Sequence, residues 1–134
     1  MIRTLARIVL ALAYAAAGAL HLVLPEPFVG IMPPAIPAKL LVVQATGIAE
    51  LLGAAALIQP WSPRLRRIGA WGLALYAVCV FPANIEHFRQ DMARPDGGLG
   101  LAYHLPRMAL QPVLVWLALW SGGVTDWPRR RPPV

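Results

Sequence analysis

Residues 40–58 read LLVVQATGIAELLGAAALI, an apolar run long enough to cross a bilayer, with one carboxylate, Glu50, near its middle. A charged side chain at the centre of a membrane helix costs about 2.5–3.5 kcal/mol on insertion scales, so it is seldom there without a role. We therefore expect Glu50 to face a partner or a cavity inside the protein rather than lipid.

The composition of the whole chain agrees with a membrane location. Of the 134 residues, 58% are hydrophobic and only 13% are charged, whereas a soluble domain carries about 25% charged residues. Four apolar segments predict helices over roughly residues 4–24, 38–58, 65–87 and 106–122. We expect an all-α, integral membrane four-helix bundle that occupies residues 1–134 as a single domain. The first segment continues to Leu24, past its small residues, so we expect a retained helix rather than a cleaved signal peptide.

The basic residues are distributed unevenly between the two ends of the predicted helices. Four lie on one side of the membrane, and the other side holds Arg3, Arg7, Arg64, Arg66, Arg67, Arg129, Arg130 and Arg131. The positive-inside rule then predicts cytoplasmic termini and multi-pass insertion, in our interpretation in a bacterial inner membrane. This distribution favours membrane lipids over nucleic acid as the partner of the basic residues, with Trp61 and Trp127 as interface anchors.

Polar residues concentrate in the outer half of the predicted bundle. They are His21, Glu50, Asn84, His87, His104, Arg107 and Gln111. Gly18 and Gly47 precede two of them by one helical turn, and small residues favour close helix contact. The proline-rich outer loop at 25–37 is expected either to fold over the mouth of the bundle, with Phe28 inside, or to lie on the membrane surface.

This polar cluster supplies the candidate site. Glu50 and His21 are the candidate catalytic residues, because a carboxylate and an imidazole can exchange protons. The candidate ligand-binding residues are Arg107, Asn84, Gln111, His104 and Phe28. Glu50 could instead pair with Arg107 simply to lock the helices together.

Histidine and cysteine spacing bears on cofactors. The three histidines do not follow a local metal-ligand spacing, so we predict no metal site. Haem held by two histidines from different helices stays open. The single cysteine, Cys79, excludes an internal disulfide and is expected to be buried and inert.

Several motifs together resemble the DoxX-like family of small bacterial membrane proteins. The residues concerned are Gly18-Ala-Leu-His21, Pro25-Glu-Pro-Phe28, Ile31-Met-Pro-Pro34, Thr46-Gly-Ile-Ala-Glu50-Leu-Leu-Gly53, Phe81-Pro-Ala-Asn-Ile85 and Arg107-Met-Ala-Leu-Gln111. The family pattern would place a proline where this chain has Ala109. The resemblance implies four helices and a link to quinone, since the family is similar to the small membrane subunit of a thiosulfate:quinone oxidoreductase.

Two functional classes follow. One is a small membrane component of a redox-linked system that binds a quinone or another lipophilic small molecule in the outer polar pocket. The other is a non-catalytic membrane anchor or assembly partner of another protein or of a second copy of this chain. The sequence leaves open whether the protein is an enzyme or a quinone-linked oxidoreductase subunit.

Overall fold

The structure, a computed structural model, describes residues 1–127, and this part of the chain is helical without strands. The helices in chain order are α1 (Ile2–Val23), α2 (Glu26–Gly30), α3 (Lys39–Ile58), α4 (Pro63–Cys79), α5 (Phe81–Met92) and α6 (Leu101–Ser121). Three apolar stretches are long enough to cross a membrane: α1, α3 and the combined stretch Pro63–Met92 of α4 and α5. The all-helical expectation is thus confirmed for the described residues.

The helix boundaries differ from the sequence expectation at three places. The stretch 65–87 is not one unbroken helix, because α4 ends and α5 begins at Val80, two residues before Pro82. Proline has no N–H and suits the first turn of a new helix, which explains the break. The last helix begins at Leu101 rather than Pro106, and the outer loop contains the short helix α2.

The long helices form a closed arrangement around a small-residue core. α1 packs against α3, α3 against α4, α4 against α6, and α6 returns to α1. The fully buried core side chains include Leu57, Leu73, Ala70 and Ala118. Many large apolar side chains point outward instead, among them Leu52 with 67% of its surface exposed. Outward apolar surface of this extent suits a lipid environment.

The tightest helix contact lies between α1 and α3 at Gly18 and Gly47. A Cβ atom at Gly18 would lie 2.7 Å from the backbone oxygen of Gly47, and one at Gly47 would lie 2.9 Å from the oxygen of Gly18. Only glycine at both positions allows the backbones this approach. A Cβ atom at Gly18 would also lie 3.1 Å from Cβ of Glu50, and one at Gly47 would lie 2.8 Å from Cβ of His21, so each glycine leaves room for the polar residue of the other helix.

Two arginines near the start of α1 bind residues at and just after the end of α6. Arg3 donates to the Asp126 carboxylate over 2.7 Å and to the Thr125 backbone oxygen over 3.1 Å. Arg7 donates to the backbone oxygen of Ser121 over 3.0 Å, at the C-terminus of α6. Cations are favourable at helix C-termini, where carbonyl groups lack helical partners. The start of α1 is thereby held beside the end of α6, whereas Arg129, Arg130 and Arg131 lie outside the described residues.

The α1–α3 contact predicts a position-specific cost of adding one methyl group. Gly18→Ala and Gly47→Ala should each destabilise the fold by about 1–3 kcal/mol, because a backbone atom occupies the required space and cannot rotate away. Gly72→Ala is the matched control, since a Cβ there meets nothing within 4 Å. Unfolding in detergent micelles with increasing denaturant measures the difference. Equal stability of all three variants would contradict the close contact.

Candidate functional site

His21 and Glu50 form a buried acid–base pair across the α1–α3 contact. The Nδ1 atom of His21 lies 3.0 Å from Oε2 of Glu50, and Glu50 has only 2% of its surface exposed. The same Nδ1 donates to the backbone oxygen of Ala17 over 2.7 Å. A carbonyl oxygen can only accept, so Nδ1 carries the proton. This hydrogen bond fixes the orientation of the imidazole ring beside the carboxylate.

Two tyrosines extend this polar pair toward the middle of the protein. Tyr76 on α4 lies close enough to interact with the Glu50 carboxylate. Tyr14 on α1 packs edge-to-face against Tyr76, with ring centroids 6.0 Å apart. Neither tyrosine was among the residues predicted from the sequence. Tyr14 lies one turn before Gly18, on the face that meets α3, and that spacing was the available signal.

These side chains form part of the wall of a cavity of about 500 Å³. Its volume lies within the range of small-molecule sites, roughly 300–1,000 Å³. Most of the wall is apolar. Of the candidate residues from the sequence, six line the cavity: His21, Glu50, Arg107, Asn84, Gln111 and Phe28.

The proline-rich loop covers one end of this cavity. Phe28 of α2 stacks on the His21 ring, with centroids 3.9 Å apart, and Ile31 and Met32 also line the wall. Lys39 donates to the Met32 backbone oxygen over 3.0 Å. Of the two expectations for this loop, the structure supports the cover rather than a loop spread on the membrane surface.

Three polar atoms in the cavity-lining residues are buried and accept or donate no hydrogen bond within residues 1–127. They are the Tyr14 hydroxyl, Glu50 Oε2 and Gln111 Oε1. Glu50 Oε2 is an ionic neighbour of His21, but the Nδ1–H of His21 is directed at Ala17 instead. Buried polar groups are normally paired with protein, water or ligand. A set of three such atoms around one cavity therefore points to a polar group bound inside it.

Arg107 does not pair with Glu50, so the expectation of a Glu50–Arg107 lock was wrong. Arg107 Nη1 donates to His87 Nδ1 over 2.9 Å, and its guanidinium lies 5.6 Å from the centre of the Tyr103 ring. Glu50 is instead held by His21, which lies on the helix that packs most extensively against α3. Arg107 still lines the cavity, so it joins the cavity to the cluster around His87.

His104 does not line the cavity, contrary to its assignment as a ligand-binding residue. It is 1% exposed, and its Nε2 donates to Asp91 Oδ2 over 2.9 Å. Asp91 also accepts from the backbone N–H of Leu99 over 3.0 Å. The α6 helix begins at Leu101 rather than Pro106, so His104 lies inside its first turn and turns toward α5.

His87, Asp91 and His104 bring three metal-ligand atoms within 4.8 Å of one another, which the sequence spacing did not predict. Their hydrogen bonds do not suit a metal ion. Arg107 donates to His87 Nδ1, so in neutral His87 the proton lies on Nε2, the atom a metal would need. His104 Nε2 likewise donates its proton to Asp91. The cluster is better described as a carboxylate held by N–H donors that joins α5 to α6.

Cys79 is exposed, not buried as expected from its type. It is the last residue of α4, beside the break at Val80, and it lines the cavity. Its side chain lies on the outward face of α4, one turn after Leu75, which is also exposed. The thiol therefore offers a chemical reporter at the cavity wall.

The fold and the site define a class: an α-helical protein, consistent with a membrane location, that encloses a small-molecule-sized cavity with a buried acid–base pair. Residues 10–122 match a family model described as Domain of unknown function (DUF8561), and the chain belongs to that family. No curated protein and no solved structure matches it.

The assignment to the DoxX-like family was wrong, because the family match is to DUF8561. The motifs behind it combine glycine, proline and a few polar residues. These residues recur wherever small membrane helices pack closely, break or bind one another. The implied link to a thiosulfate:quinone oxidoreductase subunit falls with that assignment, so any quinone hypothesis depends on the cavity alone.

The Asp91 cluster predicts a stability effect that an exposed aspartate does not share. Asp91→Asn should lower the unfolding temperature, because loss of the negative charge weakens the hydrogen bonds that Oδ2 accepts from His104 and Leu99. Asp96→Asn is the control, since Asp96 is exposed and pairs only locally with Arg94, which holds the pKa of Asp96 below its ordinary value. Zn²⁺ should leave the unfolding temperature of the parent protein unchanged. A rise with Zn²⁺ that Asp91→Asn abolishes would instead establish a metal site.

Proposed function

We propose that this protein binds a lipophilic small molecule with a polar head group, with a quinone as the first candidate, in the cavity between the long helices. One observation carries the proposal: an apolar cavity of about 500 Å³ with buried, unpartnered polar atoms in three of the side chains that line it. An apolar wall favours a hydrophobic body, and a few fixed polar groups orient a head group. A ring with oxygen substituents and an isoprenoid tail has this combination of properties.

In this proposal the His21–Glu50 pair handles protons for the bound molecule. Quinone chemistry couples electrons to protons, and a carboxylate beside an imidazole can accept and deliver them. The Ala17 oxygen holds the imidazole proton on Nδ1, so the unprotonated Nε2 of neutral His21 can accept another. The protein would then serve a redox-linked system as a membrane component, and the electron donor or acceptor would be supplied from outside this chain.

We also propose that α6 completes a four-helix bundle in the membrane. α6 packs against α4 and α1, as a fourth crossing would. Its first half carries His104, Arg107 and Gln111, which face the cavity or α5 rather than extend the apolar surface. Under the positive-inside rule, the end with Arg64 and Arg67 faces the cytoplasm and the cavity opens in the outer half of the membrane.

Cavity occupancy can be tested with a matched pair of neighbouring alanines. Ala17 lines the cavity, whereas Ala16 is exposed and does not. A decyl-tailed benzoquinone with a fully substituted ring should bind the purified protein in lipid nanodiscs. Ala17→Leu should weaken binding by about tenfold or more, a loss of about 1.4 kcal/mol or more, because the added side chain fills the ligand's space. Ala16→Leu should bind the quinone with the same affinity as the parent protein.

Cys79 supplies an independent readout of the same experiment. The bound quinone should slow alkylation of Cys79 by N-ethylmaleimide in the parent protein and in Ala16→Leu, but not in Ala17→Leu. Absence of saturable binding, with Cys79 alkylated at the same rate throughout, would contradict the ligand-binding proposal. The alternative, a non-catalytic anchor or assembly partner, would then be favoured, with the exposed Arg64 and Arg67 as its docking surface.

The proposed orientation predicts opposite accessibility at two exposed positions. Trp61→Cys lies between α3 and α4, and Asp96→Cys lies between α5 and α6. In a Cys79→Ser background, only Asp96→Cys should react with an impermeant thiol reagent added to intact cells with a permeable outer layer. After lysis both should react. Labelling of Trp61→Cys alone in intact cells would show that the protein has the opposite orientation.

A further inference from the structure

The unpartnered atoms around the cavity share one chemical property. Glu50 Oε2 and Gln111 Oε1 are oxygen acceptors, and the Tyr14 hydroxyl can accept as well as donate. His21 contributes a further acceptor, because its Nδ1 proton is used on the Ala17 oxygen and its Nε2 bonds no group within the described residues. These side chains of α1, α3 and α6 therefore offer mainly lone pairs to a ligand.

Two further lining residues, Arg107 on α6 and Asn84 on α5, carry hydrogen-bond donors. Arg107 already donates one N–H to His87, and the Asn84 amide lies on α5. Neither side chain has a buried unpartnered nitrogen. The groups that gain most from a ligand are thus the acceptors near Glu50, since an unpaired buried polar group loses its full solvation.

We propose that the cavity selects a ligand whose ring hydroxyl donates a hydrogen bond to Glu50, so that the reduced, phenolic quinol binds more tightly than the oxidised quinone. This inference rests on the proposed function and specifies the form of its ligand. A quinone ring offers only carbonyl acceptors, which would meet the lone pairs of Glu50 Oε2 and His21 Nε2. A quinol hydroxyl donates to the carboxylate and can still accept from Tyr14, and its second ring oxygen can accept from Asn84 or Arg107.

The test compares three probes that share one substituted ring and one decyl tail: the quinone, its quinol and its dimethyl ether. Equilibrium binding is measured anaerobically on the parent protein in lipid nanodiscs. The quinol should bind at least about tenfold more tightly than the quinone or the ether, because a hydrogen bond to a charged group contributes strongly. A tenfold preference also raises the midpoint potential of the bound pair by about 30 mV.

Two conservative variants test which side chains give the preference for the quinol over the quinone. Glu50→Gln keeps the side-chain shape but replaces one oxygen by an amide donor, so the preference for the quinol should shrink or reverse. Tyr14→Phe keeps the ring and removes a hydroxyl that can donate to the ring oxygen of either form, so it should weaken the binding of quinol and quinone alike and leave the preference unchanged. Tyr103→Phe is the control, because Tyr103 lies outside the cavity lining.

The outcomes separate this inference from the proposal on which it rests. Equal binding of quinone, quinol and ether would overturn hydroxyl selection and leave ligand binding intact. Tighter binding of the quinone than of the quinol would also overturn it. If none of the three probes binds, the proposed ligand-binding function itself is contradicted. An unchanged preference in Glu50→Gln would contradict recognition of the ligand hydroxyl by Glu50.

Discussion

The close approach of α1 and α3 at Gly18 and Gly47 is the contact on which the rest of the site depends. Each glycine leaves room for the backbone oxygen of the other, at distances that no side chain allows. Because Gly18 faces Glu50 and Gly47 faces His21, this approach brings the two polar side chains together. Without it, the Glu50 carboxyl group, with 2% exposure, would lie in an apolar interior without the imidazole beside it.

The remaining elements complete the enclosure around this pair. Tyr76 reaches Glu50 from α4, α6 contributes Gln111 and Arg107, and Phe28 of α2 stacks on His21. The break at Val80 ends α4 beside the cavity and sends α5 toward α6. Five helices, α1, α2, α3, α4 and α6, therefore contribute side chains to one polar centre.

The sequence predicted the parts of this arrangement that follow from local periodicity. The apolar runs predicted α1, α3 and α4, and the spacing of Gly18 from His21 and of Gly47 from Glu50 indicated a close, polar helix contact. The partner of Glu50 could not be predicted in the same way. His21 and Arg107 were both plausible, and the choice depends on which helix lies nearest to α3 and how each side chain is rotated.

Errors arose where the chain departs from regular helices. The start of α6 at Leu101 moved His104 into a buried contact with Asp91. The family resemblance failed for a related reason, since glycine and proline motifs report helix contacts and breaks that many unrelated folds share.

The loop over the cavity is fastened to two different helices. Lys39, at the start of α3, donates to Met32, and Gln90, on α5, donates to the Gly30 backbone oxygen over 3.2 Å. Ala38 adopts a left-handed conformation at φ 47°, which is unfavourable for a residue with a side chain and marks the junction between this loop and α3. The two fastenings couple the position of the loop to the spacing of the helices below it. Any lateral force that separates α5 from α3, whether from a neighbouring protein or from a change in bilayer thickness, is therefore transmitted to Phe28 above His21.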